Sequence, residues 1–79
     1  YPNPFNPETT LKYNIPNPSH VTLSIYNVLG ERIVTLVDKN QTSGVYTVQF
    51  NASWLPSGIY FCQLQTEQYN ETIKLMLIK

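Results

Sequence analysis

The feature that most constrains the fold of this chain is a series of short segments in which apolar and polar residues alternate, separated by proline, glycine and asparagine. A period of two places successive side chains on opposite faces of a strand, whereas an amphipathic helix needs apolar residues three or four positions apart. No segment of the chain shows that helical period. The pattern therefore predicts an all-β protein.

Six segments are predicted to be strands: residues 9–15, 21–28, 33–37, 46–50, 58–65 and 72–78. The polar residues 38–44 are predicted to form a turn, and Trp54 and Leu55 are expected to pack at the edge of the core. Six or seven short strands at this spacing favour a β-sandwich over a closed barrel.

The stretch from Leu55 to Leu64 combines a turn with a core strand. Pro56 and Gly58 favour the turn, and the strand that follows places Tyr60 and Cys62 on one face. A tyrosine two residues before a cysteine is also found at the tyrosine corner of immunoglobulin-type sandwiches. Because Cys62 is the only cysteine, it has no disulfide partner, and it is predicted to be a buried thiol.

Size and charge exclude several classes of protein. The 79 residues correspond to one small domain, and five basic and five acidic residues leave no net charge. The basic residues are scattered, so a nucleic-acid partner is not expected.

There is no apolar run long enough for a transmembrane segment and no signal peptide at the start. Since it begins with tyrosine, the chain is interpreted as a piece of a longer protein.

Residues that could carry out catalysis or hold a cofactor are few and dispersed. His20 is the only histidine and is expected to be solvated, so no histidine-based metal pair or Ser-His-Asp unit can form within the chain. The carboxylates fall at turns or strand ends, and each of the three glycines stands alone. The sequence therefore predicts no enzyme, no metal site and no cofactor.

Aromatic residues make up 13% of the chain and raise a second possibility, because exposed rings can serve as flat platforms for sugars. Four residues are candidates for such a platform: Tyr26, Trp54, Phe61 and Tyr69. Four others are expected in the core: Tyr13, Tyr46, Phe50 and Tyr60. The candidates show no regular spacing, so a core or scattered surface position is favoured for them.

The last predicted strand has almost no polar face before Lys79. Ile73 and the run from Leu75 to Ile78 are expected either to be covered on both sides or to form a surface that recognises another chain.

Several blocks of the sequence carry a family resemblance. The opening heptapeptide is Tyr1-Pro2-Asn3-Pro4-Phe5-Asn6-Pro7, and the strand Leu-Lys-Tyr-Asn-Ile-Pro of residues 11–16 follows. Residues 21–30 and 34–37, the block Ser-Gly-Ile-Tyr-Phe of residues 57–61 and the closing Lys-Leu-Met-Leu-Ile-Lys of residues 74–79 continue the match. Together these blocks resemble the C-terminal sorting domains of the type IX (Por) secretion system. Some of them are also similar to the immunoglobulin-like domain of the flagellar hook-capping protein.

The resemblance implies an immunoglobulin-like β-sandwich of about seven short antiparallel strands. It also implies a non-catalytic module at the end of a larger secreted protein of Bacteroidota or related bacteria. Such a module directs its N-terminal passenger domains from the periplasm through the type IX outer-membrane translocon. A sortase-like surface peptidase then cleaves before Tyr1, and the passenger is secreted or attached to the cell surface.

The resemblance also implies which residues the translocon recognises: Gly58, Tyr60, Lys74, Leu75, Met76, Leu77, Ile78 and Lys79. Residues 1–79 are expected to form a single sorting domain, with residues 1–8 as a proline- and asparagine-rich lead-in and residues 9–79 as the sandwich. Two alternatives stay open, a carbohydrate-binding module and an inert immunoglobulin-like spacer of a secreted multidomain hydrolase. The parent sequence beyond Lys79 separates the sorting domain from the spacer, because a sorting domain ends its parent chain.

Overall fold

Residues 7–79, which the computed structural model describes, form six β-strands and no helix. The strands are β1 (Glu8–Ile15), β2 (Ser19–Tyr26), β3 (Arg32–Gln41), β4 (Gly44–Asn51), β5 (Gly58–Gln65) and β6 (Asn70–Leu77). A small antiparallel sheet pairs β1 with β4, and a larger one has the strand order β3-β2-β5-β6. The predicted all-β sandwich is confirmed, with six strands in the described residues where about seven were expected.

The connections between strands explain how the chain passes between the two sheets. Residues 16–18 follow β1, and their prolines, Pro16 and Pro18, cannot donate the backbone hydrogen bonds that would continue a ladder. The chain therefore leaves the small sheet there and enters the large one at β2. It returns at residues 42–43 for β4 and crosses again through residues 52–57 before β5.

A single apolar core fills the space between the sheets. The alternation in β1 buries every second residue, and the same period in β2 and β5 points their apolar residues at the small sheet. The buried apolar residues are Leu11, Tyr13, Ile15, Val21, Leu23, Ile25, Val37, Phe50, Ala52, Leu55, Tyr60, Cys62, Leu64, Leu75 and Leu77. Tyr46 is half-buried, and its ring stacks on Tyr13 with centroids 5.6 Å apart.

The turn between β2 and β3 is built by Asn27. Its side-chain oxygen accepts hydrogen bonds from the backbone N–H groups of Leu29 and Glu31, at 2.9 and 3.0 Å. Gly30 takes a φ of 82°, which residues with a side chain rarely adopt. The predicted turn is confirmed, but β2 ends at Tyr26, and Val28, which was predicted to extend the strand, is exposed in the turn.

Two further predictions are wrong. Residues 38–41, predicted as a turn, continue β3, because β2 begins at Ser19 and offers pairing partners as far as Gln41. Trp54, expected at the edge of the core together with Leu55, is 58% exposed, whereas Leu55 is buried as predicted. The indole N–H of Trp54 donates to the carbonyl of Asn51 at 2.9 Å, so the ring lies over the loop and outside the core.

Candidate recognition site

The corner before β5 is fixed by one buried tyrosine. Tyr60 is 7% exposed, and its hydroxyl donates a 2.7 Å hydrogen bond to the carbonyl oxygen of Pro56. A tyrosine that bonds back to the backbone a few residues upstream defines a tyrosine corner. The similarity seen in the sequence is thus present in the structure as a hydrogen bond.

The pairing of β5 with β6 brings together the residues that the family resemblance implies for recognition. Gly58 is paired with Leu77, Tyr60 with Leu75, and Phe61 with Lys74. Strand partners in an antiparallel pair have Cβ atoms about 5 Å apart. The predicted residues of the Ser-Gly-Ile-Tyr-Phe block and of the last strand therefore form one continuous element of the large sheet.

Gly58 begins β5 with a φ of 156°, and a Cβ placed on it would meet no atom within 4 Å. A residue with a side chain at position 58 would therefore be disfavoured by this positive φ, because no neighbouring atom is close enough to clash with it. The glycine of the block is explained by the conformation of the chain as it leaves the turn.

The last strand buries one face and exposes the other. Leu75 and Leu77 are fully buried against the small sheet, whereas Met76 is 38% and Ile78 51% exposed. Lys74 is also exposed. The strand is therefore not covered on both sides: Leu75 and Leu77 complete the core, whereas Ile73, Met76 and Ile78 remain accessible. Recognition of another chain by this strand stays a prediction.

Lys79, two residues after β6, is attached to the loop between β4 and β5, a contact that no pattern in the sequence indicates. The ammonium group of Lys79 donates to the carbonyl of Ser53 at 2.6 Å, and the backbone N–H of Lys79 donates to the hydroxyl of Ser57 at 3.1 Å. These partners are 22 and 26 residues away in sequence, so no local signal could have indicated them.

The same loop also contacts the start of the described chain. The backbone N–H of Ala52 donates to the carbonyl of Pro7 at 2.8 Å, and Ala52 is fully buried. Of the family heptapeptide, only Pro7 belongs to the described residues. The other six, Tyr1, Pro2, Asn3, Pro4, Phe5 and Asn6, lie outside them.

Cys62 is buried in the centre of β5, as predicted. Burial raises the pKa of its thiol to about 11, because the apolar surroundings disfavour the thiolate. A thiol that stays protonated is a poor nucleophile and a poor metal ligand, so its role here is to pack.

His20 is exposed as expected, but it joins a small polar cluster where the start of β2 lies beside the end of β3. Its Nε2 atom lies 2.6 Å from Asp38 Oδ1, and its Nδ1 atom lies 2.9 Å from Asn40 Oδ1. Its backbone N–H donates to Glu67 Oε1 at 2.9 Å. The hydrogen bonds to Asp38 and then Asn40 raise the pKa of His20 above its usual value.

Within residues 7–79 there is no group of three or more histidine, cysteine, aspartate or glutamate residues that could hold a metal ion. The same part of the chain contains no helix long and apolar enough to cross a membrane. What the described residues offer is a small sandwich whose last strand is anchored and partly exposed.

Comparison with known proteins gives this module its family. The family model described as the secretion system C-terminal sorting domain matches residues 1–79, and the chain belongs to that family. It is therefore a sorting domain of the type IX secretion system, and members of this family are in general non-catalytic. Neither the curated proteins nor the solved structures returned a match.

Proposed function

We propose that this chain directs a passenger located N-terminal to it through the type IX outer-membrane translocon, and that the element formed by β5 and β6 is what the translocon recognises. The family match over residues 1–79 carries the sorting role. The assignment of recognition to Gly58, Tyr60 and residues 74–79 is supported by the pairing of Gly58 and Tyr60 with β6, which residues 78 and 79 follow directly.

The exposed face of this element is the part that a partner can reach while the domain is folded. It includes Lys74, Met76, Ile78 and Lys79, whereas Leu75 and Leu77 are covered by the small sheet. Apolar side chains on a strand near a sheet margin are well suited to contact another protein. In this proposal the exposed residues contact the translocon, and the buried ones hold the strand in register.

The remaining steps are proposed from the family as a whole. Residues 1–79 act as a single sorting domain, with residues 1–8 as the lead-in and residues 9–79 as the sandwich. After export, a sortase-like surface peptidase removes the domain before Tyr1, and the passenger is released or attached to the cell surface.

The proposal is tested with a reporter protein fused before Tyr1 in a bacterium that has a type IX system. Deletion of residues 75–79 is expected to abolish delivery of the reporter to the cell surface, measured as the fraction digested by protease added to intact cells. Unchanged delivery after this deletion would contradict the proposal.

Because the deletion also removes core residues, point variants are needed to separate recognition from folding. Met76→Glu and Ile78→Glu place a charge on the exposed face, and they are expected to reduce delivery while the melting temperature of the purified chain changes little. Val45→Glu is the matched control, since Val45 is 61% exposed on β4 in the other sheet. Equal loss of delivery in the control would show that the β6 face is not specifically recognised.

A further inference from the structure

The face of the large sheet that is turned away from the core carries an aromatic pair. Tyr26 on β2 is paired with Phe61 on β5, and both side chains are half-buried. Because paired residues on neighbouring strands point to the same face, the two aromatic side chains are neighbours on the outer face of the sheet. The sequence named both residues as possible sugar platforms, but only the sheet pairing shows that they are neighbours.

The same row of the sheet continues outwards to basic residues. Arg32 on β3 is paired with Tyr26, and Lys74 on β6 is paired with Phe61. Both are exposed. Two of the five basic residues of the chain therefore lie on one row. The nearby carboxylate of Glu31 accepts a hydrogen bond from the side-chain amide of Asn27 at 2.8 Å.

A shallow depression of about 280 Å³ opens beside the aromatic pair. Its lining consists of Tyr26, Asn27, Val28, Gly30, Phe61, Gln63 and Thr72. Gln63 and Thr72 are themselves paired across β5 and β6, so an amide and a hydroxyl border the rings on one side. The volume is just below the usual range for ligand sites and is suited to a group the size of one sugar ring.

We propose that this row, called here the Tyr26–Phe61 platform, binds an acidic saccharide. A sugar ring has an apolar face that can lie flat on the aromatic pair, and its hydroxyl groups can then reach Gln63 and Thr72. The guanidinium group of Arg32 can bind a carboxylate on the sugar with two parallel hydrogen bonds.

An acidic peptide is the less favoured occupant. The platform lies on β2 and β5, and each of these strands is paired on both sides within the large sheet. Their backbone groups are therefore engaged and cannot accept an added strand, which is how sheets usually bind extended peptides. A ligand that binds through a flat ring and a charge suits the surface better.

The test is affinity electrophoresis of the 79-residue chain in gels that contain one of three soluble polymers. Polygalacturonate offers both ring and carboxylate, its methyl ester offers the same ring without the charge, and polyglutamate offers the charge without the ring. The chain is expected to be retarded most by polygalacturonate. No retardation by it, or equal retardation by the methyl ester or by polyglutamate, would overturn the proposal.

Variants connect the binding to the platform. Phe61→Thr, which keeps a residue that favours strands, is expected to weaken binding to polygalacturonate about tenfold or more, and Arg32→Gln about fivefold. The matched controls are Trp54→Ala, an exposed aromatic residue outside the sheet, and Lys12→Gln, an exposed cation on β1. They are expected to bind as the parent chain does. Equal losses in the controls would overturn the assignment, and thermal unfolding of each variant verifies that it is folded.

Discussion

The hydroxyl of Tyr60 donates a 2.7 Å hydrogen bond to the carbonyl of Pro56, four residues earlier in the chain. This bond joins the turn to β5 and fixes the direction in which the strand enters the large sheet. In antibody domains the same corner accompanies a disulfide at the neighbouring cysteine. Here Cys62 is a free, buried thiol, so the corner is formed by the tyrosine without a disulfide.

Removing this hydroxyl is predicted to destabilise the domain. Tyr60→Phe leaves the ring in the core but leaves the Pro56 carbonyl without its donor, and we expect a loss of about 1 kcal/mol in the free energy of unfolding. For a domain of this size, that loss corresponds to a fall of roughly 4–8 °C in melting temperature. Urea unfolding measures it. Tyr26→Phe, on the outer face of β2, is the control, and an equal loss there would contradict the role assigned to the corner.

The two faces of β6 are predicted to contribute very differently to stability. Leu75 is fully buried, so Leu75→Ala is expected to cost about 2–5 kcal/mol, a large share of the stability of a small domain. Met76 is its neighbour on the opposite face, and Met76→Ala is expected to cost less than about 1 kcal/mol. Denaturant midpoints of the two variants compare these costs. Similar losses at both positions would show that the strand does not bury one face as described.

The cluster around His20 is predicted to make stability depend on pH. The hydrogen bonds to Asp38 and Asn40 raise the pKa of His20 in the folded state above its usual value of 6.5. The folded state therefore holds the proton more strongly than the unfolded state does. The stability from this cluster is fully present below about pH 6.5 and is lost as the pH rises through the raised pKa.

The measurement is the urea midpoint of the parent chain and of His20→Gln, at a series of pH values between about 5.5 and 8. The advantage of the parent chain over the variant should shrink as the pH rises. A difference that stays constant with pH, or that grows, would contradict the assigned direction of the pKa shift.

Cys62 is predicted to be unreactive in the folded chain. With its pKa raised to about 11, the thiol holds on the order of a hundredfold less thiolate near pH 8 than an ordinary cysteine, and its burial restricts access further. Labelling with a thiol reagent should therefore be slow in buffer and fast in concentrated urea. Rapid labelling of the folded chain would show that Cys62 is accessible and that its packing role is wrong.

How far the sequence predicts the fold depends on whether the signal is local. The alternation around Leu11 and Tyr13 correctly predicted β1 and its buried face, because a period of two is a property of the strand itself. The polar residues 38–41 were misassigned, since their strand is formed by pairing with β2 and not by their own pattern. Trp54 was misplaced for a similar reason. A large ring is usually buried, but here a hydrogen bond to Asn51 holds it over the loop.

The candidate site shows the same division. The resemblance named Gly58, Tyr60 and residues 74–79 for recognition, and the pairing of β5 with β6 places Gly58 and Tyr60 beside residues 74–77. It could not show that Leu75 is covered while Met76 is accessible, since that depends on the small sheet above them. Whether the translocon contacts these residues stays a prediction.

The sequence by itself determined the all-β class, most strand positions, the buried thiol and the family of this chain. The strands follow from the local alternation of apolar and polar residues, and the family follows from blocks of consecutive residues. Only the tertiary structure decided that Lys79 is held by Ser53, that His20 meets Asp38, and that Tyr26 lies beside Phe61. Each of these pairs is far apart in the chain, and its members meet only because a common core forces the strands into one register.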